Sequence, residues 1–257
     1  MQIAAVQFRF DQDEAFDERV HRALALVQSA ADADLVVLPE LWPNGAFAYD
    51  DWDATAEPLD GHLVGLLSEA ARSASVVLHA GSFIERHLDG SLTNTALVFE
   101  RDGSLSAVYR KIHLFGFSEG EPKYLAAGHE VVVADTSVGR LGLATCYDLR
   151  FPEMFRRLAD DHSDLVVIPA GWPAKRIEHW TVLVRARAIE NQLPVVAVGT
   201  AGTHGGVEMG GASLIVDALG VPLAEAGTAQ ETIRAEIDAA DTRAWRERFP
   251  ALGDRRL

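Results

Sequence analysis

Cysteine is nearly absent from this chain of 257 residues, in which Cys146 is the single example. One thiol excludes an internal disulfide and a thiolate metal cluster, and it favours a reducing cytoplasm. The histidines show neither HxH nor HxxxH spacing, so a zinc site is not expected. The chain also lacks GxGxxG, a phosphate loop and GxSxG. The sequence therefore predicts no cofactor and no metal.

Basic residues are scarce as well, and the 23 Lys and Arg against 38 Asp and Glu give a net charge of -15. Such a charge repels phosphate backbones and anionic lipid surfaces, so nucleic acid and membrane partners are not expected. No apolar stretch approaches the roughly 18 residues that a membrane span needs, and the first residues do not read as a signal peptide. An anionic small substrate would need a local cluster of basic groups.

Short apolar runs alternate with helical patterns along the chain, which predicts an α/β fold built in layers. Asp-Gly at 102–103 and Leu-Gly at 219–220 indicate two hairpins, so we expect a mixed sheet. The predicted strands cover residues 3–8, 35–38, 76–80, 96–99, 141–144, 165–168 and 195–198, and the predicted helices cover 14–31, 62–74, 152–160 and 179–191.

One segment is nearly repeated: residues 34–40, DLVVLPE, are echoed by residues 164–170, DLVVIPA. Two buried strands that end in proline resemble each other for structural reasons alone; the alternative is two related halves that face each other. In the second case the last position is informative, because Glu40 supplies a carboxylate where Ala170 has none. No linker divides the chain, and the glycine-rich residues 199–211 are typical of a flexible loop. We therefore expect a single domain over residues 1–257.

Cys146 follows the predicted strand 141–144. A lone cysteine at such a position is more often an inert core residue than a nucleophile. Here Pro152 then begins a predicted helix, which places the thiol in a tight strand-to-helix turn with free backbone N–H groups. Those groups could bind an oxyanion. Hydrolysis by a thiol also needs a base, and no histidine lies beside Cys146.

Two other predicted strands end in ionisable side chains. Glu40 follows a buried strand and precedes Trp42 by two residues, which makes it a candidate general base. Lys111 lies in a similar position within YRKIHLF at 109–115. Taken alone, Lys111 is better explained as a surface lysine beside Arg110.

Four segments together resemble the carbon–nitrogen hydrolase (nitrilase) superfamily, and the resemblance runs from residue 1 to about residue 252. The segments are LPELW at 38–42, YRKIHLF at 109–115, CYDLRFPE at 146–153 and HWTVLVRARAIENQ at 179–192. The resemblance implies a four-layer αββα sandwich. It also implies a homodimer with the helix of residues 179–192 near the interface.

By the same resemblance Cys146 is the nucleophile, Glu40 the general base, and Lys111 the cation that holds the oxyanion together with the N–H of Tyr147. Lys111 would also favour the thiolate form of Cys146. A second glutamate is implied, for which the spacing to the following leucine and glycine favours Glu121. Glu119, two residues earlier, is the alternative.

The segment CYDLRFPE resembles the branch that contains ω-amidases and deaminated-glutathione amidases. This implies that water and a small carboxylate-bearing amide such as 2-oxoglutaramate are the substrates, and that ammonia leaves from a thioester intermediate. Arg150 would face the substrate carboxylate; alternatively, it pairs with Asp148 or Glu153 as scaffolding. Trp172 would supply an apolar wall, although Gly171 stands where bacterial relatives often have asparagine.

Two other functions stay open from the sequence. The same residues would serve a nitrilase or an N-carbamoyl amino acid hydrolase. A catalytically idle binding module is the alternative outside enzymes, and the joint presence of Glu40, Lys111 and Cys146 argues against it.

Overall fold

The computed structural model describes residues 1–11 and 13–256. The strands in this part of the chain are β1 (Gln2–Gln7), β2 (Arg9–Asp11), β3 (Leu35–Val37), β4 (Val77–Arg86), β5 (Leu92–Phe99), β6 (Leu105–Arg110), β7 (Val133–Thr136), β8 (Gly139–Leu143), β9 (Leu165–Ala170), β10 (Val195–Gly199), β11 (Ala201–His204), β12 (Val207–Gly210), β13 (Leu214–Val216), β14 (Pro222–Glu225) and β15 (Glu231–Glu236). The α-helices are α1 (Phe16–Ser29), α2 (Trp52–Thr55), α3 (His62–Ala74), α4 (Pro152–Asp160), α5 (Ile177–Asn191) and α6 (Ala239–Arg248).

Two six-stranded sheets form the centre of the molecule. The first has the order β15-β1-β3-β4-β5-β6 and the second has the order β14-β13-β10-β9-β8-β7. Strands β1, β3 and β4 are parallel, as are β8, β9 and β10, while the remaining pairs in both sheets are antiparallel. The sheets are therefore mixed, as the sequence predicts.

Successive residues of β1 pack into two different hydrophobic cores, one on each face of the first sheet. Ile3 and Ala5 pack with residues of the second sheet, whereas Ala4 and Val6 pack with residues of α1 and α3. The second sheet is covered on its other side by α4 and α5, whose buried residues include Phe155. Because successive strand residues point to opposite faces, this pattern gives four layers in the order helix, sheet, sheet, helix.

The two six-stranded sheets have the same order of strands. Strands β1-β3-β4-β5-β6 of the first correspond to β8-β9-β10-β13-β14 of the second, and helices follow the first two strands of each set. The repeated segments 34–40 and 164–170 carry β3 and β9, which occupy the same position in the two orders. The topology favours the interpretation of two related halves that face each other.

The glycine-rich residues 199–211 are not a flexible loop, contrary to the sequence-based expectation. Strands β11 and β12 form a hairpin that joins β2 in a small third sheet. Gly202 has a φ of 98°, and a Cβ at this position would lie 1.9 Å from the carbonyl oxygen of Phe10. Glycine is required here because two strands approach closely.

Among the described residues, no helix is long and apolar enough to cross a membrane. The division of the chain into domains, predicted as one over residues 1–257, stays a prediction.

Candidate active site

The predicted site residues come from the carboxyl ends of strands in both sheets. In the first sheet, Glu40 follows β3 and Lys111 follows β6, and these two strands run in the same direction. In the second sheet, Cys146 follows β8 and Gly171 follows β9. The carboxyl ends of strands that run in the same direction meet at one edge of their sheet. The site therefore lies where the corresponding edges of the two sheets come together.

Lys111 is buried at the centre of this site. Its Nζ donates to Oε1 of Glu40 over 2.8 Å and to Oε1 of Glu121 over 2.8 Å. Burial opposes its charge, but the carboxylates of Glu121 and Glu40 outweigh burial and hold the pKa of Lys111 well above its ordinary value. The interpretation of Lys111 as a surface lysine is wrong. Its neighbour Arg110 instead forms a two-bond ion pair with Glu85.

Glu40 is fixed by three donors. Its Oε1 accepts from Asn94 Nδ2 over 2.9 Å as well as from Lys111, and its Oε2 accepts from the backbone N–H of Gly171 over 2.7 Å. Asn94 belongs to β5 of the first sheet, whereas Gly171 follows β9 of the second. The carboxylate is therefore held by both sheets at once.

Glu121 is the second carboxylate that contacts Lys111. It begins the 3₁₀ helix Glu121–Lys123, and its Oε2 accepts from the N–H of Phe115 over 2.6 Å. Burial and the charge of Glu40 raise the pKa of Glu121, against the opposing effect of Lys111. Glu119, the alternative on sequence grounds, is exposed.

Cys146 begins a 3₁₀ turn, Cys146–Arg150, and its φ of 48° lies in the left-handed region. A non-glycine residue in this conformation costs roughly 1–2 kcal/mol, so neighbouring contacts must stabilise it. Asp148 provides them: its Oδ2 accepts from Thr145 N over 2.8 Å and from the hydroxyl of Tyr109 over 2.6 Å. On the other side, Arg187 donates to the carbonyl oxygen of Leu149. The turn is thus tied to β6 and to α5.

Lys111 favours the thiolate form of Cys146, as expected, but other groups outweigh its effect on the pKa of the thiol. Burial raises the pKa of Cys146, the charge of Glu40 raises it further, and Lys111 lowers it by less than these effects combined. The pKa of the thiol therefore lies well above its ordinary value. Lys111 is therefore not sufficient to bring the pKa of Cys146 below its ordinary value.

A cavity of about 380 Å³ opens above Cys146. The cavity is lined by Glu40, Ala46, Phe47, Tyr49, Lys111, Phe115, Glu121, Cys146, Tyr147, Arg150, Gly171, Trp172, Pro173 and Arg176. All seven site residues implied by the resemblance are in this set.

Arg150 and Trp172 lie together on the cavity wall. The guanidinium carbon of Arg150 is 4.9 Å from the centroid of the Trp172 ring, and its Nη2 is 3.2 Å from Nδ1 of His179. Within the described residues Arg150 forms no ion pair with Asp148 or Glu153; Asp148 instead contacts His113 and Tyr109. The alternative in which Arg150 pairs with Asp148 or Glu153 is therefore not supported by the structure.

Four lining residues with aromatic or charged side chains were not predicted as site residues: Phe47, Tyr49, Phe115 and Arg176. Tyr49 stacks on Tyr124 with ring centroids 5.3 Å apart. Burial and the charge of Glu121 raise the pKa of Tyr49 to about 12, so its hydroxyl stays neutral. The run of aromatic residues after Glu40 is the one signal in the sequence that could have indicated this wall.

Among residues 1–11 and 13–256, no group of three or more His, Cys, Asp or Glu side chains is placed to hold a metal ion. The groups that line the cavity suit acyl transfer, because they combine a thiol, two carboxyl groups and a cation.

Comparisons with known proteins agree with this geometry. Residues 2–247 match the model of the carbon–nitrogen hydrolase family. The chain is 45% identical to a 2-oxoglutaramate amidase from Paenarthrobacter nicotinovorans over 263 aligned positions, which cover 100% of this chain and 90% of the relative. It is 33% identical to a 2-oxoglutaramate amidase from Bacillus subtilis, with 98% of this chain and 96% of the relative covered.

Among solved structures, the fold is similar to that of a carbon–nitrogen hydrolase superfamily protein from Xanthomonas campestris, whose crystal structure carries an arsenic adduct in its active site. The TM-score is 0.92 at 32% identity, and 100% of this chain and 97% of the other are covered. The predicted family and the predicted four-layer sandwich are confirmed.

Proposed function

Because this chain belongs to the carbon–nitrogen hydrolase family, we propose that it is an amidase that releases ammonia from a small carboxylate-bearing ω-amide such as 2-oxoglutaramate. The observation that carries the proposal is the placement of Glu40, Lys111, Glu121 and Cys146 around one cavity, with Arg150 on its wall. The first four supply hydrolytic chemistry, and Arg150 supplies a cation for the substrate.

In the first half of the proposed reaction, Sγ of Cys146 attacks the amide carbon and Glu40 accepts the thiol proton. The negative charge that develops on the carbonyl oxygen is stabilised by the ammonium of Lys111 and the N–H of Tyr147. Tyr147 lies in the first turn of its 3₁₀ segment, where backbone N–H groups have no partner within the helix. The C–N bond then breaks, and Glu40 returns the proton to the nitrogen, which leaves as ammonia.

In the second half, Glu40 accepts a proton from water, and the resulting oxygen nucleophile attacks the thioester carbon. The C–S bond breaks, Cys146 recovers its proton from Glu40, and the carboxylic acid product leaves. Glu121 contacts Lys111 and not the thiol, so we assign to it the orientation of the lysine.

We assign the recognition of the substrate carboxylate to Arg150. The net charge of -15 opposes an anionic substrate at long range, so a cation in the cavity must favour it locally. The planar guanidinium can donate two parallel hydrogen bonds to a carboxylate, and the Trp172 ring beneath it holds it in place.

We also propose that the protein acts as a homodimer in the cytoplasm. Helix α5 presents two exposed apolar side chains, Val182 at 63% and Ile189 at 54% exposure, and Val221, at 52%, follows Gly220, which packs against Ile189. A contiguous exposed apolar surface is typical of a protein interface. The cytoplasm follows from the proposed chemistry, because a reducing environment keeps a catalytic thiol active.

The test is ammonia release from 2-oxoglutaramate, succinamate, a nitrile and an N-carbamoyl amino acid, in the wild type and in Cys146→Ala. We expect the two carboxylate-bearing amides to react fastest, and Cys146→Ala to be folded and inactive. Mass spectrometry should detect an acyl adduct on the peptide that holds Cys146. A preference for the nitrile or the N-carbamoyl compound would contradict the substrate assignment, and full activity of Cys146→Ala would contradict the mechanism.

A further inference from the structure

We propose that Arg176 is a second specificity residue, which binds the carboxylate end of the substrate together with Arg150. This inference rests on the proposed function and extends it to a residue with no assigned role. Arg176 lies in the 3₁₀ turn Ala174–Arg176, directly before α5, and its side chain lines the cavity above Cys146. Among the described residues it forms no ion pair.

Trp172 positions both arginines. Its ring lies beneath the guanidinium of Arg150, and its Nε1 donates to the backbone carbonyl of Arg176 over 2.8 Å. The same buried indole therefore fixes the side chain of one arginine and the main chain of the other. This common support keeps the two residues on the same cavity.

The guanidinium of Arg176 rests on a different aromatic surface. Its central carbon is 5.1 Å from the centroid of the Phe115 ring, and that ring meets Tyr147 edge to face at 5.3 Å. A guanidinium over an aromatic face is oriented but keeps its N–H donors at its edge. Arg176 is thus held at the cavity with donors free for a ligand.

The formal charges in the cavity favour a second cation. At the deep end, two carboxyl groups, Glu40 and Glu121, face the single ammonium of Lys111, which gives this end one formal negative charge. Arg150 alone would only balance that charge. With Arg176 the cavity has one net positive charge before the substrate binds, and a substrate with a single carboxylate makes it neutral.

The chain offers a matched control for this proposal. Lys175 precedes Arg176, carries the same charge and is exposed, but it does not line the cavity. Lys175→Met therefore removes one positive charge from the same turn without removing a donor from the cavity. Arg176→Lys keeps the charge and removes the planar pair of donors.

The experiment compares succinamate with butanamide, which has the same chain length and a methyl group instead of the carboxylate. We expect Arg176→Met to lower kcat/KM for succinamate about 10-fold to 100-fold, mainly through KM, and to change butanamide turnover less than about twofold. Arg150→Met should show the same selectivity, Lys175→Met should match the wild type, and Arg176→Lys should be intermediate. Equal losses on both amides, or no difference from Lys175→Met, would overturn the inference.

A second measurement does not depend on turnover. In the Cys146→Ala background, calorimetry of succinate, the product of succinamate hydrolysis, should give a Kd about tenfold or more higher when Arg176 is methionine. An unchanged Kd overturns the inference even if the wild type is an ω-amidase. If succinate binding weakens as expected but the wild type does not prefer succinamate to butanamide, the proposed function fails and the binding role of Arg176 stands.

Discussion

The backbone N–H of Gly171 donates to Oε2 of Glu40 over 2.7 Å, and these two residues follow the matched strands β9 and β3. Glu40 is the last residue of the segment 34–40, and Gly171 directly follows the segment 164–170. Gly171, directly after segment 164–170, thus supplies the hydrogen-bond donor that orients the carboxylate of Glu40 in segment 34–40. A side chain at 171 is excluded because its Cβ would lie 2.3 Å from Cβ of Ala46.

This contact predicts a specific rescue. Gly171→Ala should displace the backbone donor from Glu40 and lower kcat/KM by about tenfold or more, since a misplacement of about 1 Å can cost about 10²-fold. Ala46→Gly removes the clashing methyl group, after which the nearest remaining atoms are at least 3.4 Å from the new Cβ.

The double variant Ala46→Gly, Gly171→Ala should therefore recover most of the activity. The measurement is a double-mutant cycle on kcat/KM, with stability followed by thermal unfolding. Additive effects of the two changes would contradict the steric explanation.

Lys111→Met should lower kcat by about 10²–10³-fold, because one oxyanion donor is lost. It should also destabilise the fold, since it leaves Glu40 and Glu121 buried without their common partner. The matched control is Lys123→Met, an exposed lysine in the turn that begins at Glu121. Steady-state kinetics and thermal unfolding give both readouts, and a rate loss below about tenfold for Lys111→Met would remove the oxyanion role.

The pH dependence of alkylation should reveal the protonated thiol. In the wild type without substrate, the rate of reaction with iodoacetamide should follow the thiolate fraction of Cys146. Burial raises the pKa of this thiol, and its protonated form is therefore favoured in the folded protein. The rate should still be rising at pH values where a free thiol, with its pKa of about 8.5, has levelled off. A plateau near pH 7 would show a stabilised thiolate instead.

Buried His79 predicts a loss of stability in acid. Burial lowers its pKa to about 4, and its Nδ1 accepts from the N–H of Gly81. Because the unfolded chain binds a proton near pH 6.5 and the folded chain does not, the stabilising contribution is present above pH 6.5 and is lost as the pH falls towards 4. Between pH 7.5 and pH 5 the loss from this group is about 2 kcal/mol.

Urea unfolding at both pH values measures this contribution. His79→Gln should reduce the difference between the two pH values by about 2 kcal/mol. The exposed His21 provides the control, and His21→Gln should leave the difference as it is in the wild type. If His79→Gln shows the same difference in unfolding free energy between the two pH values as the wild type, other groups cause the loss of stability.

The proposed dimer should depend on the apolar surface of α5. Val182→Asp places a charge on this surface and should shift the mass measured by light scattering from dimer to monomer. Leu88→Asp is the control, because Leu88 is fully exposed between β4 and β5 and not on this helix. A monomeric wild type would contradict the proposed dimer. A dimeric Val182→Asp variant would contradict the placement of the interface on α5.

The sequence predicts the parts of the fold that depend on local patterns. The runs that form β1, β3, β4, β8, β9 and β10 are apolar and short, and each forms a strand in the structure. The hairpin of β11 and β12 was not predicted, because it is stabilised by pairing with β2, which is nearly 200 residues away in the chain. The glycines of this hairpin allow close packing against neighbouring backbone. In the sequence, however, a cluster of glycines is typical of a loop.

The candidate site was predicted from a resemblance and not from spacing. Glu40 and Lys111 are 71 positions apart and meet only through the sheet order, which no local pattern contains. The pKa of Cys146 also could not be predicted from the sequence, because it depends mainly on how deeply the folded protein buries the thiol. Arg176 was missed for the same reason: in the sequence it is one of two adjacent basic residues before a helix.

The two halves of the sandwich divide the chemistry between them. Glu40, Lys111 and Glu121 belong to the first half, and Cys146, Arg150 and Gly171 belong to the second. In the proposed mechanism, neither half alone supplies both the nucleophile, Cys146, and the acceptor for its proton, Glu40. Separation of the two sheets by even a few ångströms would therefore abolish turnover while each sheet kept its own hydrogen bonds. Enzymatic activity in this protein reports on the cohesion between its sheets more directly than any measurement of secondary structure can.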